Sequence, residues 1–130
     1  MRCWKIGSRW HKYGDKKSSI LDVFLANSIV FVKEENTKGR MMSGVKVGDI
    51  IAIADGQTIV ASAEAIAAPD YLAKFSLNLT SAQANIFEYN AEKDVTIAVP
   101  VKIRKNNLNI PYTGPGAFCE ILDHGIQVLL

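Results

Sequence analysis

The sequence has few cysteines and no long apolar run, and these two shortages exclude several classes of protein. Cys3 and Cys119 are the only cysteines among 130 residues, which excludes a disulfide-rich secreted scaffold. No apolar run approaches the roughly 18 residues of a membrane-spanning helix. The first five residues (MRCWK) lack the apolar core of a secretory signal. We therefore expect a cytoplasmic protein with two free thiols and no membrane partner.

Motifs for catalysis and for metal binding are also missing. Cys3, His11, Cys119 and His124 lack the close paired spacing of structural zinc ligands, so we predict no metal and no cofactor. No glycine-rich phosphate loop opens a helix. Cys119 with His124, or Ser8 with His11, could be drawn as nucleophile and base, but no nucleophile elbow surrounds either pair. A small hydrolase using Cys119 and His124 is the least favoured interpretation.

Neither sign of charge dominates, but the basic residues are unevenly distributed. The net charge is +2, and residues 1–17 carry six basic residues against Asp15 alone. The rest of the chain carries nine basic and twelve acidic residues. A basic segment on a nearly neutral protein indicates a surface that faces an anion. A merely solvated, positively charged edge is the alternative.

The strongest local signal that the sequence does contain is a hairpin between residues 45 and 67. Asp55-Gly56 separates the apolar run 50–54 from the Ile-, Val- and Ala-rich run 57–67. Such a pair predicts a tight turn with positive φ at both central positions. Because the first run does not alternate, we expect a strand covered on both faces. A doubly covered hairpin implies a compact sheet or a small barrel.

Periodicity and capping signals assign the other elements. The chain is predicted to be one α+β, mainly β domain spanning residues 1–130, with about seven strands in a closed or half-closed barrel and two short peripheral helices. Capping-box patterns begin the helices at Ser19 and Thr80, and Pro100 marks an edge strand or a bulge. Besides the hairpin, strands are predicted at 2–7, 28–33, 71–79, 95–104, 117–122 and 126–130, helices at 20–27 and from 81 to about 89, and loops at 7–17 and 34–43.

Aromatic residues near both ends of the chain lie among basic residues. Planar rings interleaved with cations suit a nucleobase that stacks on the rings while its phosphates contact lysine and arginine. Trp4 fits a core position equally well, whereas Trp10 lies in a polar segment where a ring needs another reason to be exposed.

Two segments resemble the EVE and PUA-like superfamily. They are residues 3–10 (CWKIGSRW) and 44–53 (GVKVGDIIAI), followed by the strand 58–67. The resemblance implies a small β-barrel with peripheral helices and a pocket for a modified or flipped base. The ASCH branch of this superfamily has a Gly-x-Lys-x-x-Glu-x-Arg pattern that the sequence lacks, so hydrolysis of that kind is not expected.

These observations predict a non-enzymatic module that binds nucleic acid or a modified nucleotide, with DNA and RNA equally open. The base would lie between the first strand, its following loop and the central hairpin. The alternative is a protein-interaction or accessory subunit that docks an acidic partner on the same basic end. The predicted contacts are stacking by Trp4, Trp10 and Tyr112, base-edge hydrogen bonds from Ser8, Asp55 and Gln57, and phosphate contacts from Arg9, Lys12, Lys16 and Lys17.

Overall fold

The computed structural model describes residues 1–11, 17–32, 35–86, 96–114 and 116–130. Only the backbone is described for residues 10, 11, 17, 18, 35–38 and 84–86. These ranges contain ten strands, four α-helices and one 3₁₀ turn. The strands are β1 (Cys3–Gly7), β2 (Arg9–His11), β3 (Lys17–Ser19), β4 (Ile29–Val32), β5 (Ile50–Asp55), β6 (Thr58–Ala65), β7 (Asp70–Tyr71), β8 (Ile97–Lys105), β9 (Ile110–Pro111) and β10 (Phe118–Glu120). The helices are α1 (Leu21–Asn27), α2 (Glu35–Gly44), α3 (Ser81–Ile86) and α4 (His124–Gln127), and the 3₁₀ turn is Leu72–Lys74.

Eight of these strands form one curled, half-closed sheet. Its order is β10-β1-β5-β6-β8-β4, while β7 pairs with β8, β9 pairs with β6, and β2 with β3 forms a separate hairpin. Strands β1 and β5 run parallel in the register Cys3↔Ile50 to Gly7↔Ala54. The chain between them supplies α1, β4 and α2, as a parallel connection requires a long crossover. The predicted mainly β, half-closed barrel with peripheral helices is confirmed.

Both faces of the central strands are covered, as the unbroken apolar run in β5 predicted. Trp4, Ile51 and Ile53 belong to the main core, which we call the inner face. Cys3 and Ile50 belong to a second apolar cluster, which we call the outer face. The chain from Leu108 to Leu130 supplies the residues that cover the outer face. A single strand can therefore be apolar at every position because neither side meets water.

Asp49 ties the start of β1 to the start of β5. Its Oδ2 accepts from Nε1 of Trp4 at 3.0 Å and from the backbone N of Lys46 at 3.0 Å, and its Oδ1 accepts from the backbone N of Arg2 at 3.1 Å. Burial by itself raises the pKa of Asp49, but these hydrogen bonds outweigh it and lower the pKa below its ordinary value of 3.8. The buried carboxylate is thus charged and satisfied by three donors.

The central hairpin is confirmed, but its turn is displaced by one residue from the prediction. Asp55 pairs with Thr58, so Gly56 and Gln57 are the two turn residues. Gly56 has φ of +65°, whereas Asp55 and Gln57 keep negative φ. Expecting positive φ at both central positions was therefore wrong. A turn of this kind needs glycine at its first central position only.

The two predicted capping boxes have different outcomes. At α3, Thr80 Oγ1 accepts from the backbone N of Gln83 at 3.1 Å, and Gln83 Oε1 accepts from the backbone N of Thr80 at 2.9 Å, which confirms the box. At α1 the helix forms, but Ile20 is its N-cap residue and Ser19 ends β3. The α3 prediction beyond residue 86 lies outside the described residues.

Several local predictions were wrong because tertiary contacts decided the structure. Residues 34–43 were expected to form a loop, yet α2 spans most of them and buries Met41 completely. Residues 126–130 were expected to form a strand, yet α4 (His124–Gln127) runs into this segment after Asp123, whose Oδ1 accepts from the backbone N of Ile126. The expected loop 7–17 contains β2, and the expected strand 71–79 contains the 3₁₀ turn. Within the described ranges, no helix is long and apolar enough to cross a membrane.

Pro100 lies inside β8 without breaking the sheet. β8 pairs with β4 on one side and, on the other, with β7 and β6, which leave a gap between Ala65 and Asp70. In that gap the carbonyl of Pro100 accepts a hydrogen bond from the backbone N of Ile66. The position of the missing N–H of Pro100 faces the same gap, where no strand requires a donor. The strand is not an edge, and its irregularity lies nearer its carboxyl end.

Replacing Asp49 tests whether its carboxylate holds β1 onto β5. In Asp49→Asn the amide places donors against donors, so we expect the free energy of unfolding to fall by about 2–4 kcal/mol at pH 7. Because the pKa of Asp49 is depressed in the folded state, its stabilisation is present above the unfolded pKa and is lost as pH falls through the folded pKa. The difference between the two proteins in urea unfolding should therefore shrink below about pH 4.

Asp70→Asn is the matched control, because Asp70 also accepts from a backbone N, that of Tyr71 at 2.8 Å, but on the exposed surface, where it pairs with Lys74. Its cost should stay below about 1 kcal/mol. Equal costs for the two substitutions would contradict the role assigned to Asp49.

Candidate functional site

The carboxyl ends of the parallel strands β1 and β5 meet at one edge of the sheet. Ser8 follows β1 directly, and both its backbone N and its Oγ donate to the carbonyl of Ala54, each at 2.8 Å. Ser8 is fully buried, so it fixes the position of Arg9 and presents no polar group to solvent. We call this edge, with Ser8, Arg9, Asp55, Gln57 and Tyr112, the rim.

Arg9 and Asp55 form an exposed ion pair on the rim. Nε of Arg9 lies 2.6 Å from Oδ1 of Asp55, and the two side chains are 47% and 29% exposed. A pair this exposed contributes little to stability, about 0–1 kcal/mol. It does place N–H donors and carboxylate acceptors next to each other in an accessible position, which is what hydrogen bonding to a nucleobase edge requires.

Tyr112 reaches the rim from a distant part of the sequence. Its backbone N donates to the carbonyl of Gln57 at 2.9 Å, directly beyond the β6–β9 pair. Its ring is partly buried against the outer-face cluster. Burial, followed by the neighbouring Cys119, raises the pKa of Tyr112 above its ordinary value of 10.0. The ring is therefore neutral, held in place and accessible on one part of its surface.

Trp4 does not lie on the rim. Its indole is 1% exposed, stacks on Phe118 with ring centroids 5.0 Å apart, and donates to Asp49. A Cβ at Gly44 would lie 2.8 Å from Cη2 of Trp4, so α2 packs directly on the ring. Predicting Trp4 as a stacking surface fails on this burial, and the alternative core position is what the structure shows.

Trp10 and Lys17, two of the remaining predicted contacts, belong to the paired strands β2 and β3 next to the rim. Trp10 pairs with Ser18, and Lys17 pairs with His11, but the structure describes only the backbone of these residues. Lys12 and Lys16 lie outside the described residues. β2 begins at Arg9, directly after Ser8, so Trp10 and Lys17 belong to a pair of strands that leaves the rim.

A buried lysine next to the rim was not singled out by the sequence. Lys5 is 6% exposed, and its Nζ donates to the carbonyls of Gly116 at 2.7 Å and Gly114 at 3.3 Å. It pairs across the sheet with Cys119, and burial lowers the pKa of Lys5 below its ordinary value of 10.5 while Cys119 opposes that shift. The lysine thus fastens Gly114 and Gly116 onto the outer face.

The sequence signal that could have revealed Lys5 is its position in β1 between Trp4 and Ile6, which face the other side of the strand. Strict alternation puts Lys5 and Cys3 on one face, but nothing local shows that residues 108–130 cover that face. A Cβ at Gly114 would lie 2.5 Å from Cε1 of Tyr112 and 2.7 Å from Sγ of Cys119. The covering segment approaches so closely because glycine stands at this position.

Cys119 and His124 lie in different environments, one buried and one exposed. Cys119 is buried beside Lys5 and Tyr112. His124 begins α4, is exposed, and its Nδ1 lies 3.1 Å from Oε1 of Gln127. Within the described part of the chain, no three residues among His, Cys, Asp and Glu come together as metal ligands.

Comparison with known proteins identifies the fold. No protein-family profile matches the chain, and no curated protein matches it in sequence. Among solved structures, the chain is similar to a crystallised mutant of the ZmASCH protein from Zymomonas mobilis, with a TM-score of 0.55 and 10% identity over 99% of this chain and 96% of that one. The fold is PUA-like. The similarity does not point to the EVE branch in particular.

Lys5→Met tests the burial of the lysine. The pKa of Lys5 is lower in the folded protein than in the unfolded chain, so between that lowered pKa and 10.5 the unfolded chain binds more protons than the folded protein. The free energy of unfolding of the wild type should therefore rise with pH across this window relative to that of the variant. Urea unfolding of both proteins from pH 7 to 10.5 measures the difference. Titration of Cys3 and Tyr112 largely cancels in this difference because both proteins retain them.

Lys102→Met provides the control, since it replaces an exposed lysine on β8 by the same residue, and any change that both variants share is not due to burial. If the curves of the wild type and Lys5→Met stay parallel, the ammonium of Lys5 is not desolvated in solution.

Proposed function

We propose that this protein is a non-enzymatic domain that binds nucleic acid or a modified nucleotide at the rim. The observation that carries the proposal is the convergence of residues far apart in sequence: Arg9 contacts Asp55 at 2.6 Å, and Tyr112 bonds to Gln57 at 2.9 Å. Residue chemistry by itself assigns these four residues to base and phosphate contacts. Their proximity at one edge supports the proposal.

Each rim residue has a distinct chemical task in this proposal. Tyr112 stacks on the base, since its ring is fixed by packing and stacking on an aromatic ring contributes about 1–3 kcal/mol per base. Asp55 accepts from the base edge, and the exposed amide of Gln57 offers both donor and acceptor groups. Arg9 contacts a phosphate, assisted by Lys17 of β3 and by Lys12 and Lys16, which lie between β2 and β3 in the sequence, and Trp10 of β2 offers a second ring. Ser8 acts by positioning Arg9, and Trp4 acts only through the core.

The PUA-like fold agrees with this proposal without deciding the ligand. We take the rim to be the modified-base pocket that the EVE resemblance implies. We take the protein to be cytoplasmic. The structural neighbour is an ASCH protein, and the sequence lacks the ASCH pattern expected for hydrolysis. We therefore infer binding without catalysis, with DNA or RNA as the polymer.

Fluorescence anisotropy with labelled single-stranded DNA and RNA oligonucleotides tests the proposal. We expect saturable binding at low salt, weakened about five- to tenfold by Arg9→Ala, with a salt slope about 0.7 smaller because one phosphate contact is lost. Trp10→Ala and Tyr112→Leu should each cost about 1–3 kcal/mol of binding free energy. Asp55→Asn should reduce the preference between otherwise identical oligonucleotides with and without one methylated base.

Lys74→Ala is the control variant, because Lys74 is an exposed cation that is also paired with an aspartate, but on the 3₁₀ turn. Its affinity should equal that of the wild type. Absence of saturable binding at low salt to any of the oligonucleotides would refute the proposal and favour the protein-interaction alternative.

A further inference from the structure

A second, strongly basic surface lies at the carboxyl end of β8. A groove of about 340 Å³ is lined there by Glu64, Lys102, Ile103, Arg104 and Lys105, and we call it the β8 groove. Three of these five side chains are cations, and all three are exposed. None of them was assigned a role by the rim, so the groove requires its own explanation.

A β-bulge places the three cations on the same face of the sheet. Lys102 pairs with Glu64 and Ile103 pairs with Ala63, but Lys105 pairs with Ser62, so Arg104 is the extra residue. Strict alternation would put Lys105 on the face opposite to Lys102. Ser62 and Glu64 are two residues apart in β6 and therefore lie on the same face. Directly paired residues share a face, so their partners Lys105 and Lys102 also lie on one face, and the bulge has returned Lys105 to the outer face.

The charge of the groove is only partly neutralised. Arg104 Nη1 lies 3.8 Å from Oε1 of Glu64, with side chains 43% and 41% exposed, which is a weak pair. Lys105 donates to the carbonyl of Leu129 at 3.2 Å. Among the residues that the structure describes, neither Lys102 nor Lys105 has a carboxylate partner. The groove therefore carries two cations in excess and favours an anionic ligand.

A polar path joins the groove to the rim. The chain from Lys102 to Tyr112 runs alongside β6 from Glu64 to Gln57, a separation of roughly 23 Å for seven residues at 3.3 Å each. Between the two ends, Asn106, Asn107 and Asn109 are exposed and offer amide donors and acceptors. A single strand stacked at about 3.4 Å per nucleotide covers this distance with about seven nucleotides.

We propose that the β8 groove binds the phosphate backbone of a single-stranded nucleic acid whose base occupies the rim. The inference rests on the proposed function and extends it, because it makes the ligand a polymer of about seven nucleotides or more. Its phosphates lie along Lys102, Lys105 and the three asparagines. The groove fits a nucleic acid better than an acidic peptide because the path of exposed asparagines leads from its cations to a site with a stacking ring, which a peptide does not need.

Oligonucleotide length separates the two sites. We expect a decanucleotide to bind more tightly than a trinucleotide, since only the longer strand reaches from the rim to the groove. Lys102→Gln/Lys105→Gln should weaken decanucleotide binding about five- to tenfold and reduce its salt slope by about 1.4. The affinity of the trinucleotide should stay within about twofold of the wild type. Anisotropy between roughly 50 and 200 mM salt measures both quantities.

Lys46→Gln/Lys74→Gln is the matched control, because it removes the same charge from exposed lysines outside the groove. It should leave the decanucleotide affinity near the wild-type value. If both double variants weaken binding equally, the effect is one of net charge and the groove is not a site.

The remaining outcomes distinguish the two proposals. If the wild type binds neither oligonucleotide, the proposed function fails and the groove proposal falls with it. If the wild type binds both and Lys102→Gln/Lys105→Gln binds the decanucleotide like the wild type, only the groove proposal is overturned. If Lys102→Gln/Lys105→Gln leaves decanucleotide binding unchanged but abolishes the binding of labelled polyglutamate, the groove binds acidic protein segments and its nucleic-acid assignment is overturned.

Discussion

The buried carboxylate of Asp49 is the interaction on which the rest of the structure depends. It accepts hydrogen bonds from the backbone of Arg2, the backbone of Lys46 and the indole of Trp4, so one side chain fixes the beginning of β1, the turn before β5 and the largest ring of the core. A charge in this position is tolerated because donors surround it. The parallel pairing of β1 and β5 begins at this point and sets the register of both strands.

The same pairing creates the rim. In parallel strands the carboxyl ends lie together, so Ser8 and Arg9 arrive beside Asp55 without any local signal that they should. The sheet is also closed on its outer face by the chain from Leu108 to Leu130. Lys5 holds part of that cover through two carbonyls, which gives Tyr112 a defined position beside Gln57. Fold and site are therefore consequences of one topology.

The distribution of charge differs between the two surfaces. On the rim Arg9 is paired with Asp55, so its field is largely compensated and its value lies in directional hydrogen bonds. In the β8 groove the cations exceed the carboxylates, and the bulge at Arg104 aims them in one direction. A compensated site joined by a polar path to an uncompensated one suits a ligand that has both a planar, hydrogen-bonding group and a charged backbone.

Sequence by itself determined the elements whose information is local. The apolar run 50–54 predicted a strand covered on both faces, Thr80 and Gln83 predicted a helix start, and alternation from residue 97 to 103 predicted β8, because period and capping depend on near neighbours. Residue chemistry also selected Arg9, Asp55, Gln57 and Tyr112 as candidates, though not their proximity. Only tertiary structure decided that residues 35–44 form a helix, that Trp4 lies in the core, that Lys5 is buried and that Lys105 shares a face with Lys102. Each of these depends on which distant segment covers a residue or pairs with it, and hydrophobic period contains no information about partners that far along the chain.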